Sequence, residues 1–308
     1  MLKVFGHLNP DTDSTCSAIA YAWFLNEQAM EATPYLLGAP GKEALFVLDR
    51  FKQSQPEILS SVGEGDEIVI VDTNNPEELL DLSKATLRGL VDHHKLVGGL
   101  STSEPVEITM RTVGCTATVI WMLMQEKGVE KIPAEIAGLM LSAILSDSLK
   151  FTSPTTTETD KKAAEWLTAQ AGVDVDELAA GMFDAKSDLS GMSPKDLLLS
   201  DSKVFDMAGK KVRISSLETT KPANALAMRT ELVEAMQALK TEQGLDGAFF
   251  FIVDILSSSA ELLLPSEFEI SVAEKGFDKT ATEGLIELPG VVSRKKQMVP
   301  AIEKGLAS

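Results

Sequence analysis

The stretch Gly6-His7-Leu8-Asn9-Pro10-Asp11-Thr12-Asp13-Ser14 follows a short apolar run, Leu2 to Phe5, and precedes a long amphipathic segment. It reads as strand, loop and helix. A histidine and two aspartates leave the loop at spacings of four and two residues, toward one point at the carboxyl end of the strand. That is where open α/β sheets place ligands. Taken alone, His-x3-Asp-x-Asp is equally well an Asx-rich turn in which Asp13 or Ser14 caps the helix. The rest of the chain decides between the two readings.

Ser14 to Met30 carries Ile19, Ala20, Trp23, Phe24 and Leu25 on one side, the stripe of a helix packed on a sheet. Pro34 to Leu37 reads as a second strand and Glu43 to Lys52 as a second helix. Glu67 to Val71, with Ile68-Val69-Ile70-Val71, is the near-continuous apolar run of a strand buried on both faces, and it ends on Asp72. Leu90-Val91 repeats the pattern and ends on Asp92-His93-His94. Gly114-Cys115-Thr116-Ala117-Thr118 opens another helix, whose first amides could receive an anion. Pro133 suits the first turn of a helix that closes on Ser146-Asp147-Ser148, and two more helices read over 159–171 and 174–183. The expected architecture is a doubly wound, mainly parallel α/β domain over 1–189. After a linker at Ser190-Gly191-Met192-Ser193-Pro194 comes a smaller mixed-sheet domain over 195–308, with strands at 203–206, 212–217, 248–254 and 261–264 and one long helix over 222–240. The active site is expected in the cleft between the two.

A chain of 308 residues buries a large core, and its net charge of −18 is unsuited to nucleic acid or an anionic membrane. A small anionic substrate remains compatible, because exposed charges are largely screened beyond about 8 Å and local cations dominate inside a cleft. No apolar run reaches the roughly 20 residues of a membrane span, and Met1-Leu2-Lys3 leads straight into a strand. We therefore expect a cytoplasmic protein. Cys16 and Cys115 sit in apolar helical patterns and read as free, buried thiols.

All three histidines of the chain, His7, His93 and His94, fall in the two loops at strand ends. Each has aspartates beside it. Asp11, Asp13, Asp72 and Asp147 add four carboxylates, too many to bury together without cations. A mixed His and Asp set suits Mn²⁺, Co²⁺ or Mg²⁺ better than thiolate-seeking ions. With six protein ligands, two metals sharing a carboxylate is more natural than one.

The set His7-x3-Asp11-x-Asp13, Asp72, Asp92-His93-His94 and Asp147, followed by Ser293-Arg294-Lys295-Lys296, resembles the family II (manganese-dependent) inorganic pyrophosphatases of the DHH phosphoesterase superfamily. The match spans nearly the whole chain. It implies an N-terminal DHH catalytic domain, a C-terminal DHHA2-like substrate-binding domain, a homodimer, and hydrolysis of pyrophosphate to two orthophosphates. By the resemblance His7, Asp11 and Asp72 hold one Mn²⁺ or Co²⁺, and Asp13, Asp72, His93 and Asp147 the other, with Asp72 bridging. His94, Lys203, Arg294 and Lys295 contact the phosphates, Lys296 more weakly, and Mg²⁺ arrives with the substrate. Asp92 is implied to stand behind the ligands. This chain has Asp72-Thr73-Asn74-Asn75 where many members have Asp-His-Asn-Glu. That puts the surroundings of the site in question but removes no ligand. DHH phosphodiesterases are a rival reading; they carry a histidine-containing motif in their second domain, and no histidine follows His94 here. A non-catalytic metal or nucleotide sensor is a second rival; this first domain has no room for the inserted nucleotide-binding module that regulated members carry.

Overall fold

The computed structural model describes residues 1–307 and divides into two compact units, the first ending at Ala185 and the second beginning at Lys186. The first unit runs β1 (Leu2–Phe5), α1 (Thr12–Glu27), β2 (Ala32–Leu36), α2 (Lys42–Arg50), β3 (Glu57–Ile58), β4 (Glu67–Val71), β5 (Thr86–Asp92), β6 (Glu107–Met110), α3 (Thr116–Glu126), α4 (Ala134–Asp147), α5 (Glu158–Ala171) and α6 (Val175–Lys186). Its sheet has the order β3-β2-β1-β4-β5-β6, and every pairing is parallel. Strand order reverses between β1 and β4, so a crevice opens outside their carboxyl ends. His7 follows β1 and Asp72 follows β4.

The apolar runs become central strands because both faces are covered. Phe5, Ile68, Ile70 and Leu90 share a cluster with Leu37, Val62 and Leu79. Val4, Val69, Val71 and Val91 are buried as well. The expected doubly wound parallel domain is thus observed. The sequence did not mark the short edge strands β3 and β6.

The second unit contains α7 (Pro194–Ser200), β7 (Ser202–Met207), β8 (Lys210–Thr219), α8 (Pro222–Leu226), α9 (Arg229–Gln243), β9 (Gly247–Asp254), β10 (Ser259–Leu263), α10 (Glu267–Phe277), β11 (Leu285–Pro289), a π-helical turn at Arg294–Met298 and α11 (Val299–Ala307). The sheet order is β11-β10-β9-β8-β7, with β8 and β9 parallel and the other pairs antiparallel. This is the expected smaller mixed sheet. Its centre, β9, buries Phe249, Phe250 and Phe251 in succession, as a strand covered on both faces does. The Ser193-Pro194 pair starts α7 through a capping box with Asp196. One expected helix over 222–240 is in fact two, α8 and α9. Among the described residues, no helix is long and apolar enough to cross a membrane.

Candidate metal centre

The loop after β1 is held tightly against α1. A Cβ on Gly6 would lie 2.0 Å from Ser14 Oγ, so only glycine lets the strand and helix approach this closely. Ser14 Oγ accepts from the His7 backbone N–H at 3.2 Å. Asp11, rather than Asp13 or Ser14, caps the helix by accepting from Ser14 N at 2.9 Å. Capping fixes Asp11 beside the histidine, with 3.7 Å between His7 Nε2 and Asp11 Oδ2. Asp13 lies in the first turn and is buried. Its carboxylate accepts from Ser17 Oγ at 2.7 Å, Thr116 N at 2.6 Å and Ala117 N at 3.2 Å. The anion at the N-terminus of α3 is therefore the protein's own Asp13, not a ligand from solution.

Asp72 is buried at the end of β4 and sits in left-handed backbone, φ 60°. Its Oδ2 faces His7 Nε2 at 3.4 Å and its Oδ1 faces His93 Nε2 at 3.5 Å. Oδ1 also accepts from Thr116 Oγ1 at 3.0 Å. Oδ2 is buried and receives no hydrogen bond, the state of an oxygen that a cation would satisfy. His93 Nδ1 donates to the Val113 carbonyl at 3.3 Å, which leaves Nε2 to face Asp72 and, at 3.8 Å, Asp147 Oδ2 at the end of α4. Ligand atoms of His7, Asp11 and Asp72 lie within 4.8 Å of one another, and so do those of Asp13, His93 and Asp147. All six residues expected from the sequence thus converge. Imidazole and carboxylate atoms separated by 3.4 to 3.8 Å are spaced like neighbours around a common ion rather than like hydrogen-bonded pairs.

Electrostatics point the same way. Burial and the Asp72 carboxylate push Asp13 up to about 6. Burial, then Asp13, raises Asp147 well above the usual carboxylate range. Burial alone would lower both His7 and His93, but the carboxylates facing them outweigh it. Asp11 and Asp72 hold His7 well above its ordinary value, and Asp72 with Asp13 raises His93 to about 9. Asp72 is held well below its usual range, because the two imidazoles outweigh its burial. Such a cluster, with only protons to neutralise it, is one that divalent cations suit.

His94 belongs to neither of these two sets, though its ligand atom lies within 4.8 Å of those of Asp72 and His93. Its Nδ1 lies 2.9 Å from Asp92 Oδ1, and its side chain is 42% exposed. Asp92 is buried; besides His94 it accepts from the backbone N–H groups of His93 and His94 at 2.8 and 3.0 Å and from Asn74 Nδ2 at 2.6 Å. It orients the histidine pair from behind. Asn74 Nδ2 also donates to Lys95 O at 3.0 Å, and its Oδ1 accepts from Val97 N at 2.7 Å, fixing the loop that carries His94. Thr73 and Asn75, the two departures from the family pattern, turn inward to their own turn. Thr73 Oγ1 donates to Glu78 at 2.9 Å, and Asn75 caps the 3-10 turn Pro76–Glu78.

In the second unit Arg294 opens the π-helical turn. Its Nη1 forms an ion pair with Asp201 Oδ1 at 2.6 Å, at an angle unlike an aligned hydrogen bond. Asp201 lies two positions before Lys203, and the ion pair joins residues 93 apart in sequence. Lys203 and Lys295 are exposed. Sequence reasoning missed three contributors: Thr116, Glu43 and Asp160. Glu43 is buried and accepts from Thr12 Oγ1 at 2.8 Å and Ser146 Oγ at 2.7 Å, joining the start of α1 to the end of α4.

Comparison with known proteins bears on both units. Residues 2–144 match the model of the DHH family, N-terminal domain, and residues 180–304 that of the DHHA2 domain. A probable manganese-dependent inorganic pyrophosphatase of Bacillus licheniformis is 40% identical over 305 residues, covering 98% of each chain. One of Lactobacillus helveticus is 37% identical over 302 residues, covering 97% of this chain and 96% of that one. A solved structure from Methanococcus jannaschii, described as a family II inorganic pyrophosphatase, aligns over 100% of both chains with a TM-score of 0.83 at 34% identity. An exopolyphosphatase-related protein from Bacteroides fragilis, at 16% identity and a TM-score of 0.53, shares the fold alone.

Proposed function

Because the chain belongs to the manganese-dependent inorganic pyrophosphatase family, we propose that it hydrolyses pyrophosphate to two orthophosphates at a pair of divalent cations. The observation that carries this reading is Asp72, whose two oxygens face two separate His and Asp sets. His7, Asp11 and Asp72 would hold one ion, and Asp13, Asp72, His93 and Asp147 the other. Imidazole with carboxylate favours Mn²⁺, with Co²⁺ a possible substitute, while Mg²⁺ enters with the phosphates. When bound, the ions supply Lewis acidity and a water nucleophile available at neutral pH.

The protein's own part is orientation and charge. Asp92 holds the Nδ1 side of His94, which turns Nε2 toward substrate, where it can hydrogen-bond a phosphate oxygen and assist the leaving group. Arg294 offers a planar fork to the phosphoryl oxygens, and Lys203 and Lys295 act as point charges. Together these cations stabilise the charge that gathers on the departing phosphate. The same reading makes the protein a cytoplasmic homodimer.

Orthophosphate release from pyrophosphate by the chelated and Mn²⁺-reloaded full chain tests the proposal. Turnover of phosphodiesters in place of pyrophosphate would reject it, as would tight Mn²⁺ binding with no hydrolysis of either.

A further inference from the structure

Behind the ligand atoms lies a buried carboxylate that the proposed chemistry does not use. Asp160 is fully buried in the first turn of α5. Part of its bonding is local, a capping box with Thr157, whose N–H and Oγ1 both reach Oδ2 at 2.7 Å. The other part spans more than 40 residues. Gly114 N–H lies 3.1 Å from Oδ1 and 2.9 Å from Oδ2, and Thr118 Oγ1 donates to Oδ1 at 2.7 Å. Gly114 is glycine for a steric reason, since a Cβ there would meet Asp160 Oδ2 at 2.9 Å and Thr155 O at 3.3 Å.

The segment pinned in this way carries the groups that set three ligands. Val113 O takes His93 Nδ1, Thr116 N and Ala117 N bind Asp13, and Thr116 Oγ1 binds Asp72. His7 and Asp11 are held from another side, by Ser14. Resting on the two-ion reading above, we infer that Asp160 is a positioning residue for the ion held by Asp13, His93 and Asp147, acting through Val113 to Ala117. The ion held by His7 and Asp11 shares only Asp72 with this segment, through the single Thr116 hydroxyl bond, so it is affected far less. Its charge matters as well as its shape. Because Gly114 N–H lies near both oxygens, an amide in either orientation would turn its NH₂ toward that N–H and push the segment away. A buried network with every member satisfied is rigid, and one mismatched donor loosens it.

The test is Mn²⁺ titration of the chelated full chain by calorimetry, with electron paramagnetic resonance reporting coupled Mn²⁺ pairs. Wild type should bind two ions. Asp160→Asn should keep one near its wild-type Kd, weaken the other by about 10- to 100-fold, and lose the coupled-pair signal at intermediate Mn²⁺. Gly114→Ala, which keeps Asp160 and its cap, should show the same selective loss and decides the matter if Asp160→Asn does not fold. Thr157→Ala removes the cap of α5 but leaves the Gly114 and Thr118 bonds, so it should lower Tm and change neither Kd. Normal binding of both ions by Gly114→Ala and a folded Asp160→Asn would overturn the inference. Equal loss at both positions, or the Asp160→Asn pattern in Thr157→Ala, would do the same. A wild-type chain that binds fewer than two ions would instead bring down the reading on which it rests.

Discussion

Loading the centre with Mn²⁺ should expel protons. With its carboxylate neighbours raising it to about 9, His93 is ~97% protonated at about pH 7.5. It should therefore release close to one proton as its Nε2 turns to a cation, and His7, also held well above its ordinary value, should add to the release. Asp147, raised by burial and by Asp13, adds to that count. We expect about one proton or more per pair of ions at pH 7.5. Competition from the His93 proton alone should weaken the ion it holds by about 30-fold at that pH, or ~2 kcal/mol. The His93 contribution should then make affinity climb about tenfold per pH unit and level off near pH 9. Calorimetry in buffers of different ionisation enthalpy gives the number directly, because the observed heat varies linearly with buffer enthalpy and the slope counts protons. A heat independent of buffer, or a Kd unchanged from pH 6.5 to 8.5, would refute the account of a cluster held together by protons.

Asp72→Asn should weaken both ions by roughly a hundredfold, whereas Asp11→Asn should weaken chiefly one; two-site calorimetric fits separate the cases. After chelation, Mn²⁺ or Co²⁺ should restore hydrolysis at micromolar concentration while Mg²⁺ alone should not, because Mg²⁺ gives up its waters reluctantly; full activity in Mg²⁺ alone, with metal removal verified, would contradict the donor-set argument. Arg294→Ala should lower kcat by about 10²- to 10³-fold with Mn²⁺ titration unchanged, measured by phosphate release. The metal-free protein should lose stability as pH rises from about 6.5 to about 9. His93 is raised above its unfolded value, so its contribution is complete below the unfolded pKa and disappears as pH passes the folded one. Urea midpoints in chelator would show this, and a midpoint that rises over that window would be the opposite result.

The centre was legible because β1, β4 and β5 are short apolar runs that each stop on a metal-compatible side chain, so strand direction and ligand position could be read together. β4 was read to its ends, Glu67–Val71. Other elements hid for identifiable reasons. Edge strands β3 and β6 have no continuous apolar run, since only neighbours on one side cover them. Helix α10 conceals its stripe because one of its buried positions is Glu269, paired with Lys240 and accepting from Ala248 N at 3.0 Å. The long helix expected after Pro222 breaks between α8 and α9 at a point without glycine or proline. At α3 the helix start was correctly marked as an anion site, but its anion, Asp13, lies 103 residues away. Asp160 was beyond reach for the same reason, as its partner Gly114 is 46 residues distant.

The left-handed backbone at Asp72 narrows what evolution or an engineer can place there. At φ 60° a side chain branched at Cβ is strained, and among non-glycine residues Asn and Asp are the ones that enter this region most readily. Glutamate would add a methylene as well as losing that tolerance. Of the residues this backbone admits most readily, glycine has no ligand atom and asparagine has one neutral oxygen. Only aspartate offers two anionic oxygens on so short an arm. The turn after β4 therefore works as a filter on chemistry: the conformation of one peptide unit restricts which side chain can stand between the two histidines, before any metal takes part.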